Sequence, residues 1–137
     1  MWYVLDLQRF RGSSEENERR IRQVAESDTR RVRIFMEREP GSSGVDVISH
    51  YARNVLRGFA FKGVRPTGPK AERAAPVASA AEMGNLRLCS GPWVSEFLDE
   101  ASAFPMGPHD DQIDAVSGAF GQLTSRFRVR SFAVLDL

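Results

Sequence analysis

The spacing of hydrophobic residues along the chain predicts alternating strands and helices. A short apolar run at residues 2–7 is typical of a buried strand, and Ser13 followed by Glu16 has the spacing of a capping box at the start of a helix. The predicted strands are 2–7, 31–37, 59–64 and 85–89, and the predicted helices are 14–27, 45–56, 70–83, 93–102 and 110–123. This order predicts an α/β fold whose sheet is at least partly parallel.

Composition excludes several classes of protein. With 137 residues and a net charge of +1, the chain has room for one domain and lacks the strong field of a polybasic protein. The single cysteine, Cys89, excludes an internal disulfide and a multi-cysteine zinc site, and it fits a reducing, intracellular setting. No apolar run approaches the roughly 20 residues of a membrane span, and the first residues do not resemble a signal peptide. We therefore expect a cytoplasmic protein with no membrane partner.

Three carboxylates lie within five residues where the last predicted helix begins. Asp110 and Asp114 are four residues apart, and Asp111 and Asp114 are three apart, so they can share one helix face. Two interpretations stay open. Aspartates near a helix N-terminus interact favourably with the helix dipole, and Asp110 can serve simply as the cap. Alternatively, because neighbouring like charges repel, a basic partner or an oxygen-preferring divalent cation compensates them.

A second candidate pair, Glu37 and Glu39, lies at the end of the second predicted strand. Acids at the carboxyl end of a strand in an α/β fold lie where ligands usually bind, although a solvated strand end is an equally good interpretation. Converging with the later aspartates, they could hold Mg²⁺ or Mn²⁺ and activate water at a phosphodiester. Lys70 and Arg73, at the start of an alanine-rich helix, are candidates for contacts with DNA phosphates or for a solvated helix end.

Several segments together resemble the nuclease domain of phage terminase large subunits. They are Glu37-Arg-Glu-Pro-Gly-Ser-Ser-Gly44, Val64-Arg-Pro-Thr-Gly-Pro-Lys70, Arg73-Ala-Ala-Pro76, Gly91-Pro-Trp93, Phe97-Leu-Asp-Glu100, Phe104-Pro105 and His109-Asp-Asp-Gln-Ile-Asp-Ala115. The resemblance implies an α/β fold with an RNase H-like mixed sheet flanked by helices. It also implies cleavage of double-stranded DNA by two Mg²⁺ or Mn²⁺ ions during genome packaging. In that family Glu37, with Glu39 as the alternative, Asp110 and Asp111 would be the catalytic metal ligands, and Asp114 would assist them.

The sequence departs from the family pattern in two respects. It carries no ATPase motor, and its first strand is followed directly by a helix, as the third strand of an RNase H sheet would be. We therefore expect two strands to be missing, and with them the first catalytic aspartate, so Asp6 is not that ligand and the activity of this chain stays open. We also expect residues 1–125 to form a partial nuclease domain and 126–137 a C-terminal extension. An exposed sheet edge would favour self-association.

The resemblance implies double-stranded DNA as a partner, together with the terminase small subunit and the portal, in the cytoplasm of a bacterial host. Two other functions stay open. One is a catalytically inactive prophage remnant, or a DNA- or partner-binding module with the same fold. The other is a different RNase H-like nuclease, such as a Holliday-junction resolvase.

Overall fold

The structure is a computed structural model that describes residues 1–135, with side chains described through residue 125. Within these residues, strands and helices alternate in the predicted order. They are β1 (Trp2–Val4), α1 (Ser14–Asp28), β2 (Ile34–Glu37), α2 (Ser42–His50), β3 (Phe61–Val64), α3 (Lys70–Glu82), β4 (Leu86–Leu88), α4 (Val94–Ala103) and α5 (Asp111–Leu135). A π-helical turn, Tyr51–Val55, continues α2. In the described part of the chain, no helix combines the length and the apolar character that a membrane crossing requires.

The strands form two parallel pairs. Trp2 of β1 lies opposite Leu86 of β4, and Ile34 of β2 lies opposite Phe61 of β3. The predicted parallel pairing is therefore confirmed, but residues 1–135 contain two two-stranded sheets and not the single mixed sheet that we expected. The α/β content, with five α-helices and short sheets, is consistent with an RNase H-like domain.

The chain divides into two compact units. Unit 1 comprises residues 1–9 and the chain from residue 67 onward, and unit 2 comprises residues 10–66. In unit 1, α3, α4 and α5 pack with the β1–β4 pair around one core. The buried core residues are Ala74, Val77, Ala80, Trp93, Phe97, Ile113, Val116 and Phe120. Small alanine side chains on α3 let this helix approach α5 closely, and the Trp2 ring meets the Phe120 ring edge to face at 5.3 Å.

Unit 2 has a smaller core beneath α1 and the β2–β3 pair. Its buried residues are Ala25, Val55 and Leu56, with Ile21, Ile34, Tyr51, Phe59 and Phe61 packed around them. Gly63 of β3 faces Ile48 of α2, and a Cβ at residue 63 would come within 2.8–2.9 Å of that side chain. Glycine is therefore required there for α2 to pack on the strand.

Helix α5 continues to Leu135, past the end at residue 123 that we expected. The side chains of the expected C-terminal extension, residues 126–137, lie outside the described part of the chain. The expected domain boundary after residue 125 stays a prediction.

Candidate functional site

Two of the three predicted aspartates contact the same cation. The Lys70 Nζ atom lies 2.7 Å from Asp110 Oδ2 and 3.1 Å from Asp114 Oδ2. Arg73 adds a longer ion pair of 3.6 Å to the other oxygen of Asp114. The predicted shared helix face is therefore present for Asp110 and Asp114, and in the described chain a basic partner compensates their charge.

Helix packing accounts for this arrangement. Lys70 and Arg73 lie in the first turn of α3, while Asp110 and Asp114 lie at the start of α5. The alanine-rich face of α3 packs along α5, so the two helix starts are brought together. Lys70 and Arg73 were predicted to contact DNA phosphates or to form a solvated helix end; their charged groups contact aspartates, and the contact with DNA stays a prediction.

The ammonium of Lys70 is held firmly in its charged form. The hydrogen bond that it donates to Asp110, and then the one to Asp114, raise the pKa of Lys70 to about 12. Lys70 therefore carries a full positive charge throughout the neutral pH range. The side chain is half exposed, so the attraction is partly screened by water.

Asp111, the third predicted aspartate, is placed differently. Its carboxylate is exposed and forms no hydrogen bond or ion pair with the described part of the chain. His109, just before the cluster, lines a cleft of about 280 Å³ with Arg9, Glu96 and Asp99. The residues lining that cleft include none of the three aspartates.

Sequence reasoning gave no role to Glu100, which the structure places directly against the aspartate segment. Glu100 is only 7% exposed. One of its oxygens accepts hydrogen bonds from the backbone N–H groups of Gln112 and Ile113, at 2.8 and 3.0 Å, and the other accepts from the Gln112 side-chain amide at 2.8 Å. The sequence does carry one sign of this role. Glu100 has the helical spacing that places it on one face with Trp93 and Phe97, and an acid within an apolar stripe needs hydrogen-bond partners.

The other predicted acids, Glu37 and Glu39, belong to unit 2. Glu37 is the last residue of β2 and lies opposite Val64, and the Arg38 N–H extends the ladder by donating to the Val64 carbonyl at 2.8 Å. Both glutamates are exposed. Because Glu37 ends β2, its predicted position at the carboxyl end of a parallel strand is confirmed. The carbonyl of Glu39 lies so close to Gly44 that any side chain at residue 44 would collide with it.

The donor set of unit 1 suits a hard divalent cation. Asp110 and Asp114 supply carboxylate oxygens that both approach the Lys70 ammonium. In proteins, Mg²⁺ is commonly held by one or two carboxylates, and water and phosphate oxygens complete its shell. Among the side chains that the structure describes, no group of three or more His, Cys, Asp or Glu residues is arranged around a metal position. Asp110 and Asp114 alone could supply only part of the shell of such an ion, and metal binding stays a prediction.

Comparison with known families gives a match over most of the chain. The family model described as the terminase RNase H-like domain matches residues 1–122. No curated protein and no solved structure matches the chain. The matched range includes every acid discussed above.

Proposed function

This chain belongs to the terminase RNase H-like domain family, and we propose that it cleaves double-stranded DNA during phage genome packaging by a reaction that depends on divalent metal ions. One observation carries the proposal: the carboxylates of Asp110 and Asp114 converge on the ammonium of Lys70, at 2.7 and 3.1 Å. Two acids held together in this way repel each other unless a positive charge is present. Such a pair is suited to metal binding.

Each acid has a separate role in the proposal. Asp110 and Asp114 hold one ion, the exposed Asp111 contributes an oxygen from the same helix start, and Glu37, or Glu39, is the acid from the end of β2. When bound, Mg²⁺ or Mn²⁺ neutralises charge at the scissile phosphate and lowers the pKa of an attacking water. The protein's contribution is to fix the carboxylates on rigid elements, because a misplaced ligand weakens both binding and catalysis.

Lys70 and Arg73 balance the charge of Asp110 and Asp114, and we propose that they bind DNA phosphates in the complex. Both groups are charged at neutral pH, since the pKa of Lys70 is raised to about 12 and arginine does not titrate in this range. A divalent ion bound to Asp110 and Asp114 would neutralise these carboxylates in place of Lys70 and Arg73. The ammonium and the guanidinium would then be available to the DNA backbone, where each phosphate contact makes binding more dependent on salt.

Nicking of supercoiled plasmid by the purified chain, with Mg²⁺, Mn²⁺ or a chelator, tests the proposal. We expect metal-dependent nicking that falls roughly a hundredfold or more in Asp110→Asn, Asp114→Asn and Asp111→Ala. Asp46→Asn is the matched control, because Asp46 is an exposed aspartate on α2 outside both acidic groups. Equal activity in the control and the three variants would contradict the proposal. Asp111→Ala should also unfold within a few degrees of the unchanged protein, because the Asp111 carboxylate has no side-chain partner in the described chain and loses only its interaction with the helix dipole.

The acid in unit 2 is tested in the same assay. Glu37→Gln should reduce nicking as strongly as Asp110→Asn if Glu37 is a ligand, and Glu39→Gln should then have little effect. The opposite result would assign the role to Glu39. Full activity in both single variants and in the double variant would show that neither glutamate is a ligand.

A non-catalytic binding module is the second candidate, and the ion pairs of Lys70 and Arg73 favour it, because these cations already satisfy the acids without a metal. Binding of duplex DNA without nicking in any metal would support this function. In that case Lys70→Ala should weaken DNA binding and reduce its salt dependence, whereas Asp111→Ala should not.

A further inference from the structure

Glu100 of α4 is a buried carboxylate whose hydrogen-bond partners all come from the first turn of another helix. It lies beside the buried rings of Trp93 and Phe97, where a carboxylate is costly unless its oxygens accept hydrogen bonds. The three donors are the N–H groups of Gln112 and Ile113 and the side-chain amide of Gln112. Glu100 thus places a negative charge at the positive end of α5, where it is stabilising.

These donors are the ones that a helix normally offers to its own N-cap residue. The Asp110 carbonyl accepts the first intrahelical bond, from the Asp114 N–H at 2.9 Å, so Asp110 is the N-cap of α5. An aspartate at this position usually turns its carboxylate back onto the second or third N–H of the helix. Here both N–H groups are taken by Glu100, and the Asp110 carboxylate contacts Lys70 instead.

We infer that Glu100 is a positioning residue, which caps α5 in place of Asp110 and so leaves the Asp110 carboxylate free to bind a metal ion. The capping part of this inference stands on the hydrogen bonds alone. The metal part rests on the proposed function, since Asp110 must be a ligand for its release to matter. The aspartate's capping preference and its use as a ligand compete for the same oxygens, and Glu100 removes that competition.

A double-mutant cycle tests the capping part without any metal. With Glu100 present, Asp110→Ala should change the unfolding equilibrium constant by less than about threefold, because it removes only a partly exposed ion pair. With Glu100→Ala in the background, Asp110 should turn back onto the freed N–H groups. Asp110→Ala should then cost a further factor of about five, the usual effect of deleting a helix cap. Asp110→Asn in the same background is the matched control, because asparagine caps as well as aspartate.

An equal cost of Asp110→Ala in both backgrounds would overturn the capping part. If Glu100→Ala does not fold, Glu100→Gln takes its place. Its carbonyl oxygen can still accept from both backbone N–H groups, so Asp110→Ala should then cost no more than with Glu100 present, and a larger cost would contradict the inference.

Mn²⁺ titration, followed by the electron paramagnetic resonance signal of the free ion, tests the metal part without an activity assay. Glu100→Ala should weaken Mn²⁺ binding about tenfold, as expected for loss of a group that orients a ligand, and Glu100→Gln should restore most of the affinity. Val116→Ala is the control: Val116 is buried on the same helix, so its loss destabilises unit 1 without touching the cap. Equal affinities in Glu100→Ala and Val116→Ala would overturn the positioning role.

The two experiments separate this inference from the proposed function. If the unchanged protein binds no Mn²⁺, or binds it equally well after Asp110→Asn, the proposed function fails at this site. The double-mutant cycle still decides whether Glu100 replaces Asp110 as the cap.

Discussion

Helices α1 and α5 begin in opposite ways. At the start of α1, the Ser13 hydroxyl accepts from the Glu16 N–H at 3.2 Å, and the Glu16 carboxylate accepts from the Ser13 N–H at 2.7 Å. The cap is local, and it uses the side chain of the N-cap residue. At the start of α5, Glu100 from another helix accepts the N–H bonds, and the side chain of the N-cap residue, Asp110, points to Lys70.

The difference shows what a remote cap makes possible. A helix start must satisfy its first N–H groups, and an N-cap acid that does so has its oxygens committed to the backbone. When a buried group from another element satisfies them, the acids of the first turn remain available for chemistry. A local cap stabilises a helix, whereas a remote cap also leaves the carboxylate of the N-cap residue uncommitted to the backbone.

The largest expected effect comes from removing the remote cap. Glu100→Ala should lower the free energy of unfolding by about 3 kcal/mol, because the buried Gln112 amide loses its acceptor and Asp110, when it turns back, replaces only part of the bonds to the two N–H groups. Both tryptophans of the chain, Trp2 and Trp93, pack in the core of unit 1, so denaturant unfolding followed by tryptophan fluorescence reports this change. Glu100→Gln should lose clearly less. A loss below about 1 kcal/mol in Glu100→Ala would mean that Asp110 or water fully replaces the Glu100 carboxylate, so that Glu100 is not needed for stability.

Helix α2 begins in a third way, and its test should have the next largest effect. Its N-cap, Gly41, makes no side-chain cap, and Gly44 in the first turn lies against the Glu39 carbonyl. Gly44→Ala should cost about 2 kcal/mol, because the added methyl group cannot fit beside that carbonyl. Amide hydrogen exchange in α2 measures the loss. Gly118→Ala is the matched control, since a Cβ there meets no atom within 4 Å and should stabilise α5. Similar effects of the two substitutions would show that the close approach is not a constraint.

The sequence predicts features that depend on neighbours in the chain better than features that depend on distant contacts. The capping box of Ser13 and Glu16 was predicted and is present, because both partners lie within one helical turn. The end of β1 was predicted at residue 7, but pairing stops at Val4, where the Cys89 N–H donates the last hydrogen bond. A strand is only as long as its partner, and β4 has three residues.

The candidate site shows the same limit. The spacing of Asp110 and Asp114 predicts a shared face, and that part is confirmed by their common contact with Lys70. The ion pairs of Lys70 were not predicted, because its sequence neighbours do not reveal that α3 packs along α5. Glu100 received no role for a similar reason, since its partners lie 12 and 13 residues away. Both contacts exist only once the helices are packed.

Removing the local cap should have a smaller effect than either change above. Ser13→Ala should cost about 1 kcal/mol, the usual value for an exposed serine cap, and Ser13→Asp should keep most of the stability. Ser14→Ala is the control, because the Ser14 side chain makes no hydrogen bond in the described chain. Amide exchange within α1 is the measurement. If Ser13→Ala cost as much as Glu100→Ala, local and remote caps would not differ in strength, and the comparison between the two helices would lose its energetic basis.

The smallest expected effect is the pH dependence of the local cap. The Ser13 backbone N–H, and then its hydroxyl, lower the pKa of Glu16 from its ordinary value of 4.5. Because the folded value lies below the unfolded one, the stabilisation is complete above about pH 4.5 and is lost as the pH falls through the lower folded value. The protection factors of the α1 amides, which correct for the intrinsic exchange rate at each pH, should therefore fall more steeply below pH 4.5 in the unchanged protein than in Glu16→Gln, which has no carboxylate to protonate. Parallel pH profiles in the two proteins would show that the Glu16 arm of the box adds nothing, so that α1 is capped by the Ser13 hydroxyl alone.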